Sequence, residues 1–151
     1  MGFHAPGGTL SFVTKTMTYT GATNLGAVGN ANIFNITGRV IVVALSAYCT
    51  TSLGEAAPGS ATISLGVTSS TALFIPATTA LDIDANEFWL DTTPDAFGLA
   101  LPATLKDIVI FGVTSDNWIT NQVATAAINA GVIVYECWWM PLSANGNLVA
   151  A

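Results

Sequence analysis

The chain has 151 residues, of which 52% are hydrophobic and only 8% are charged, and its net charge is −6. Soluble domains of this size usually carry about 25% charged residues, so the composition predicts that part of the surface faces other protein chains. Its three Lys and Arg residues are too few for a basic patch, which argues against partners such as nucleic acid or an anionic membrane.

The longest apolar run, at residues 40–47, is far shorter than a membrane-spanning helix. The N-terminus lacks the basic start and apolar core of a signal peptide. We therefore expect synthesis and assembly in the cytoplasm.

The first third of the chain is predicted to contain two strands joined by a loop. Residues 10–20 alternate between polar and apolar side chains, as a half-buried strand does. The Gly- and Asn-rich residues 21–32 are predicted to be a loop or an arm. Residues 39–49 are apolar on both faces, which is typical of a strand that is covered on both sides. A turn is predicted at residues 54–59.

The later elements are also strands, because Val, Ile and Thr are dense while residues typical of helix surfaces are scarce. Residues 123–129 are predicted to be a short strand or a helical turn. The other predicted strands cover residues 61–68, 71–75, 87–91, 105–114 and 131–140.

About eight strands without a long helix predict an all-β fold, an antiparallel β-sandwich or barrel that is jelly-roll-like. Residues 1–8 are expected to form an extended N-terminal arm, and residues 9–151 a single β-sandwich domain. In a two-layer sandwich only one face of each sheet is internal. Strands that are apolar on both faces therefore need a loop, an arm or another subunit over the second face.

The sequence offers weak candidates for catalysis and metal binding. His4, the only histidine, lies in the predicted arm, where nothing would hold it beside a nucleophile. Asp82, Asp84 and Asn86 begin like a calcium loop, but Glu87 stands where glycine is needed and Thr93 where glutamate belongs. A solvated acidic turn is favoured, and a weakly held calcium ion stays the alternative. No catalytic, metal or cofactor-binding residue is assigned.

Carboxylates for glycoside hydrolysis are available in Glu87, Asp91 and Glu136, but no pattern fixes their separation. Trp89 shares a predicted strand face with the first two and is the candidate for an exposed sugar platform. We expect no enzyme activity from these residues.

The other tryptophans are Trp118, Trp138 and Trp139, and the adjacent pair must point to opposite faces of one strand. An interface role is favoured over sugar binding, because tryptophan is enriched at protein interfaces. Cys49 and Cys137 lie in apolar stretches and are interpreted as buried thiols, with a disulfide between neighbouring strands as the alternative.

Four segments between residues 61 and 146 carry a resemblance to known proteins. They are residues 61–66 (ATISLG), 84–91 (DANEFWLD), 123–135 (VATAAINAGVIVY) and 139–146 (WMPLSANG), of which the last is the most specific. On these segments the chain resembles small all-β virion structural proteins of tailed bacteriophages, and it is most similar to capsid decoration (cement) proteins.

The resemblance implies a non-enzymatic homotrimer without a cofactor that binds the major capsid protein on the outer capsid surface of a virion assembled in the host cytoplasm. Such a protein clamps neighbouring capsomers, and residues 1–8 and 21–32 are expected to reach neighbouring subunits. The alternative is a carbohydrate- or receptor-binding β-sandwich module of a phage fibre or tail. A hydrolase is the third hypothesis.

Overall fold

The computed structural model describes residues 9–96, 109–111 and 117–151 of the chain. The predicted arm at residues 1–8 lies outside these ranges, so the division into an arm and one domain stays a prediction. Among the described residues every element except the 3-10 turn Ala80–Asp82 is a β-strand, and none of their helical turns is long and apolar enough to cross a bilayer. The strands are β1 Ser11–Thr18, β2 Gly29–Thr37, β3 Val40–Glu55, β4 Thr62–Val67, β5 Ser70–Thr79, β6 Glu87–Phe88, β7 Val109–Phe111, β8 Trp118–Ala124, β9 Ile128–Pro141 and β10 Asn147–Ala150. The all-β prediction is confirmed.

The described strands form two antiparallel sheets. The first sheet has the order β1-β9-β3-β6, and β7 also pairs with β3. β6 and β7 share the edge of β3 that faces away from β9, because β6 pairs at Tyr48 and Cys49 whereas β7 pairs at residues 40–42. The second sheet has the order β10-β2-β8-β4-β5. The two sheets make an open sandwich, so of the two predicted architectures the closed barrel is wrong.

The strand pairings are nested along the chain. β1 pairs with β9, β2 with β8, β3 with β6 and β7, and β4 with β5. This nesting is that of one long antiparallel hairpin that is folded over itself. The pairs β1–β9 and β3 with β6 and β7 lie in one sheet, and the pairs β2–β8 and β4–β5 lie in the other, which is the arrangement of a jelly roll. The jelly-roll prediction is confirmed. The described strands outnumber the predicted ones because β2 and β10 have no counterpart among the predicted strands.

The core lies between the sheets, and β9 shows how the sequence builds it. The side chains of Ile133, Tyr135, Cys137 and Trp139 are buried, while the residues between them are half-buried on the other side of the strand. The other sheet contributes side chains such as Phe34, which is fully buried. Burying each large apolar side chain contributes about 1.5–3 kcal/mol, so this face of β9 is a principal source of stability.

Two predicted elements in the first half were wrong at their ends. Residues 29–32, predicted to be part of a loop, begin β2, because pairing with β8 and the burial of Ala31 and Ile33 outweigh the low strand propensity of asparagine. The strand at residues 39–49 continues to Glu55, through the start of the predicted turn.

Three later elements also differ from the prediction. β5 passes through Pro76 to Thr79, which is possible because β5 is the edge strand of its sheet and the missing N–H breaks no pairing there. β6 ends at Phe88 instead of residue 91. β8 starts at Trp118 instead of residue 123, because the buried polar residues Thr120 and Asn121 interrupt its apolar pattern.

Candidate functional site

The outward side of the first sheet is largely apolar along β3 and β9, as the sequence predicted for strands that are apolar on both faces, while β1 adds Phe12 and three exposed threonines, Thr14, Thr16 and Thr18. We call this surface the outer sheet face. Phe12 is 52% exposed and Val43 38% exposed, and the remaining apolar members are half-buried. The outer sheet face comprises Phe12, Ile41, Val43, Ala44, Tyr48, Phe88, Val134, Trp138 and Met140.

Two aromatic contacts organise the outer sheet face. The ring centroids of Phe12 and Trp138 lie 4.7 Å apart, and those of Tyr48 and Phe88 lie 4.9 Å apart. Among the outward positions of β1, β3, β6 and β9, Glu136 is the one charged residue, and its carboxylate accepts a 3.0 Å hydrogen bond from the Ser46 hydroxyl. A polar row of Thr14, Glu136 and Ser46 lies between the two aromatic contacts. Exposed apolar patches that are bordered by polar residues are typical of protein interfaces.

Of the three residues proposed for calcium, Asn86 has its side chain engaged by the protein, and Asp84 contributes a backbone hydrogen bond. The backbone N–H of Asp84 donates to the Glu87 carboxylate at 2.9 Å. Asn86 adopts a left-handed backbone (φ 70°), and its side-chain oxygen accepts a hydrogen bond from the Tyr48 hydroxyl. In the described part of the chain, no three His, Cys, Asp or Glu side chains converge as metal ligands.

The structure does not bring the candidate hydrolytic carboxylates together. Residues directly opposite each other in an antiparallel pair point to the same side of the sheet. Glu136 lies opposite Ser46, on the outer sheet face, whereas Glu87 lies opposite Cys49, whose side chain points into the core. Asp91 instead accepts hydrogen bonds from the N–H and hydroxyl of Thr93. The three carboxylates form no shared cleft.

The tryptophans divide into buried and accessible groups. Trp89, the predicted sugar platform, is fully buried, and its indole N–H donates to the Thr78 hydroxyl at 2.9 Å, so that hypothesis was wrong. The backbone N–H of Trp89 donates to the Ala47 carbonyl, which continues the pairing of β6 with β3 and places Trp89 on the buried side of the sheet, with Ala47 and Cys49. Trp139 is buried while Trp138 is half-buried on the outer sheet face, which confirms that the pair points to opposite sides.

Cys49 and Cys137 are both buried free thiols, as the favoured interpretation predicted. Cys137 lies opposite Leu45, four positions along β3 from Cys49. That separation is about 13 Å, well beyond the roughly 7 Å that a disulfide spans between Cα atoms. Burial raises the pKa of Cys49 to about 11 and that of Cys137 to about 12, so both thiols are protonated and unreactive at neutral pH.

A buried polar cluster lies between the sheets, and no pattern in the sequence indicated it. The Tyr19 and Tyr135 hydroxyls are 2.7 Å apart, and the Asn121 amide donates to the Tyr19 oxygen at 3.1 Å. Burial is the main cause that raises the pKa of both tyrosines. The cluster is therefore neutral and joins β8 to the opposite sheet. It has no group that acts as a base at neutral pH.

A polar groove was also missed. It has a volume of about 630 Å³ and lies where β10 ends beside β2. We call it the asparagine groove. The residues that line it are Lys15, Thr16, Met17, Asn24, Leu25, Asn30, Asn32, Asn35, Trp118, Ala150 and Ala151. The alternation of Asn30 and Asn32 on β2 was the only sequence signal for it.

No protein-family model and no curated protein matches the sequence. Among solved structures, the chain is similar to a chain in the acidic stable capsid structure of Helicobacter pylori bacteriophage KHP30. The TM-score is 0.39 and the sequence identity 14%, over 94% of this chain and 96% of that chain.

Proposed function

We propose that this chain is a non-enzymatic structural subunit of a bacteriophage particle, a decoration (cement) protein that binds the outer capsid surface as a homotrimer. The observation that carries the proposal is the outer sheet face, where Phe12 and Val43 are exposed and Trp138 is half-buried. The resemblance of residues 61–146 to phage virion proteins supports the same role. The jelly roll is consistent with it, since many viral capsid domains have this fold.

Assembly through the outer sheet face explains the unusual composition. A charged side chain loses its hydration when a partner covers it, and this cost exceeds the gain unless an opposite charge is in place. A face that is covered in the particle is therefore best built without charges, and Glu136 is already engaged by Ser46. Apolar side chains gain free energy on burial, at about 25 cal/mol for each Å² removed from water.

The mechanism is mechanical. Each subunit offers a preformed sandwich, because the core and the nested strand pairs hold the outer sheet face in one geometry before binding. Little ordering is then needed on association, which reduces the entropy that binding costs. Several modest contacts to the major capsid protein and to sister subunits add up through multivalency. The arm at residues 1–8 is proposed to extend these contacts to a neighbour.

The proposal is tested by adding the purified chain to capsids of the phage that encodes it, prepared without this protein. We expect saturable binding, in which bound copies cosediment with the capsids and raise the temperature at which they disassemble. The Trp138→Ser variant should bind more weakly. Leu81→Ser, a change of an exposed leucine away from the outer sheet face, serves as the matched control. A chain that is well folded but does not bind these capsids would refute the decoration role.

A further inference from the structure

We infer that the asparagine groove is a binding site for a neutral saccharide. The groove combines amide side chains from β2, one indole from β8 and very little charge. Its volume of about 630 Å³ lies within the range of roughly 300–1,000 Å³ that small-molecule sites occupy. The groove borders the outer sheet face, since its Thr16 lies opposite Val134, but the inference does not depend on the decoration role.

The amides supply the hydrogen-bonding groups that sugars need. Each asparagine side chain offers two N–H donors and one oxygen acceptor, and a sugar hydroxyl both donates and accepts. Asn30 and Asn32 are exposed and Asn35 is half-buried. Within the described parts of the chain, the side chains of these residues and of Asn24 make no hydrogen bond to the protein, so their donors and acceptors are open to a ligand.

The positions of the amides are fixed by the β2–β8 pairing. Asn30 lies opposite Gln122, Asn32 opposite Thr120, and Asn35 opposite Trp118. A register shift between Asn32 and Phe34 inserts one residue, which keeps Asn35 among the groove residues while Ile33 and Phe34 are both buried. The amides therefore follow one another along a strand, a spacing suited to successive hydroxyls of a chain molecule.

Trp118 provides the apolar part of the site. Its ring is half-buried in the groove lining, and its indole N–H has no protein partner in the described ranges. The flat ring offers an apolar face for the C–H side of a sugar ring, and its N–H offers a donor at the edge. An aromatic surface beside several uncharged hydrogen-bonding groups matches the mixed polar and apolar character of a pyranose.

The charge in the groove favours a neutral ligand. Lys15 is the one charged residue of the lining, and its ammonium group donates to the backbone oxygen of Ala151. Binding of a polyanion requires several unengaged cations, which this groove does not offer. An extended peptide could pair with the part of β2 that β10 leaves unpaired, before Phe34. Such a peptide would bond to backbone groups and would not need a row of amide side chains. A saccharide uses both the amides and the indole.

The inference is tested on the purified full chain with an array of neutral and acidic glycans, followed by calorimetry on the neutral glycans that bind. Asn32→Ala and Asn35→Ala each remove hydrogen bonds to the ligand and should weaken binding about tenfold or more. Asn147→Ala changes an exposed asparagine of β10 outside the groove and should leave binding unchanged. Circular dichroism and the thermal midpoint establish that each variant is folded.

Three results would overturn the inference. The first is an array without any neutral-glycan signal, and the second is glycan binding that the groove variants leave unchanged. The third is a combined result, in which the wild type binds no glycan and the Asn32→Ala variant has a different oligomer mass. That result would assign the groove to contact with a second copy of the chain. The capsid-binding assay is independent, so loss of saccharide binding with intact capsid attachment would refute only the groove assignment.

Discussion

Replacing Phe12 with serine should weaken self-association while leaving the fold intact. Phe12 is 52% exposed and contacts Trp138 on the outer sheet face. If a sister subunit covers this face, the variant removes apolar area from the interface. The core side of β1, formed by Val13 and Met17, is unchanged.

The size of the effect follows from the exposed area of the ring. A phenylalanine side chain buries about 150–250 Å² when it is fully covered, so the exposed half of Phe12 leaves about 100 Å² for a partner. At about 25 cal/mol/Å² this area contributes about 2.5 kcal/mol to each contact. Since a factor of ten corresponds to about 1.4 kcal/mol, each contact should be weakened about 60-fold.

Sedimentation equilibrium over a dilution series measures this change as a shift in the association constant. Loss of the contact with Trp138 within the subunit should lower the free energy of unfolding by only about 1 kcal/mol, which urea denaturation measures separately. Leu81→Ser is the control, because Leu81 is 43% exposed on the 3-10 turn and should have no effect on association. Equal association of Phe12→Ser and wild type would refute the assignment of the outer sheet face.

Four further predictions concern the fold and the arm. Glu55→Ala removes the acceptor of two backbone N–H groups in the loop before β4, at 3.2 and 2.7 Å, and should lower the free energy of unfolding in urea by about 3 kcal/mol. Trp89→Phe loses the hydrogen bond to Thr78 and should lower the thermal midpoint, with no effect on glycan binding; a loss of glycan binding would contradict the burial of Trp89. Burial raises the pKa of Cys137 to about 12 in the folded state, so above about pH 9 the thiol ionises in the unfolded chain but not in the folded one. The free energy of unfolding should therefore be unaffected below about pH 9 and should fall by about 1.4 kcal/mol per pH unit as the pH rises toward 12. Cys137→Ala should flatten this decline in alkaline unfolding curves. Deletion of residues 1–8 should weaken capsid attachment in cosedimentation and leave the circular dichroism spectrum unchanged, whereas full attachment would contradict the role of the arm.

The elements that could be predicted are those with the densest runs of β-branched and other apolar side chains. β3 and β9 are dense in Val and Ile, and both form long central strands of the first sheet. The opposite orientations of Trp138 and Trp139 follow from strand geometry alone. The apolar outer sheet face could also be predicted, because β3 has more apolar positions than one core face requires.

The elements that could not be predicted depend on contacts between distant parts of the chain. β2 contains Asn30 and Asn32, which have low strand propensity, and only the pairing with β8 holds them extended. Trp89 does lie on the same side of the sheet as Glu87, but the local pattern could not show that this side is the core side, opposite Ala47 and Cys49. The asparagine groove draws on β1, β2, β8 and β10, and no local pattern shows that these four strands meet.

The central claim is that companion chains cover the outer sheet face, and native mass spectrometry of the purified wild-type protein tests it most directly. The account predicts a species with three times the 15.5 kDa mass of one chain, which persists on dilution into the micromolar range. A single-chain mass at every concentration, with Phe12 and Trp138 fully open to chemical labelling and no tendency to associate, would contradict it.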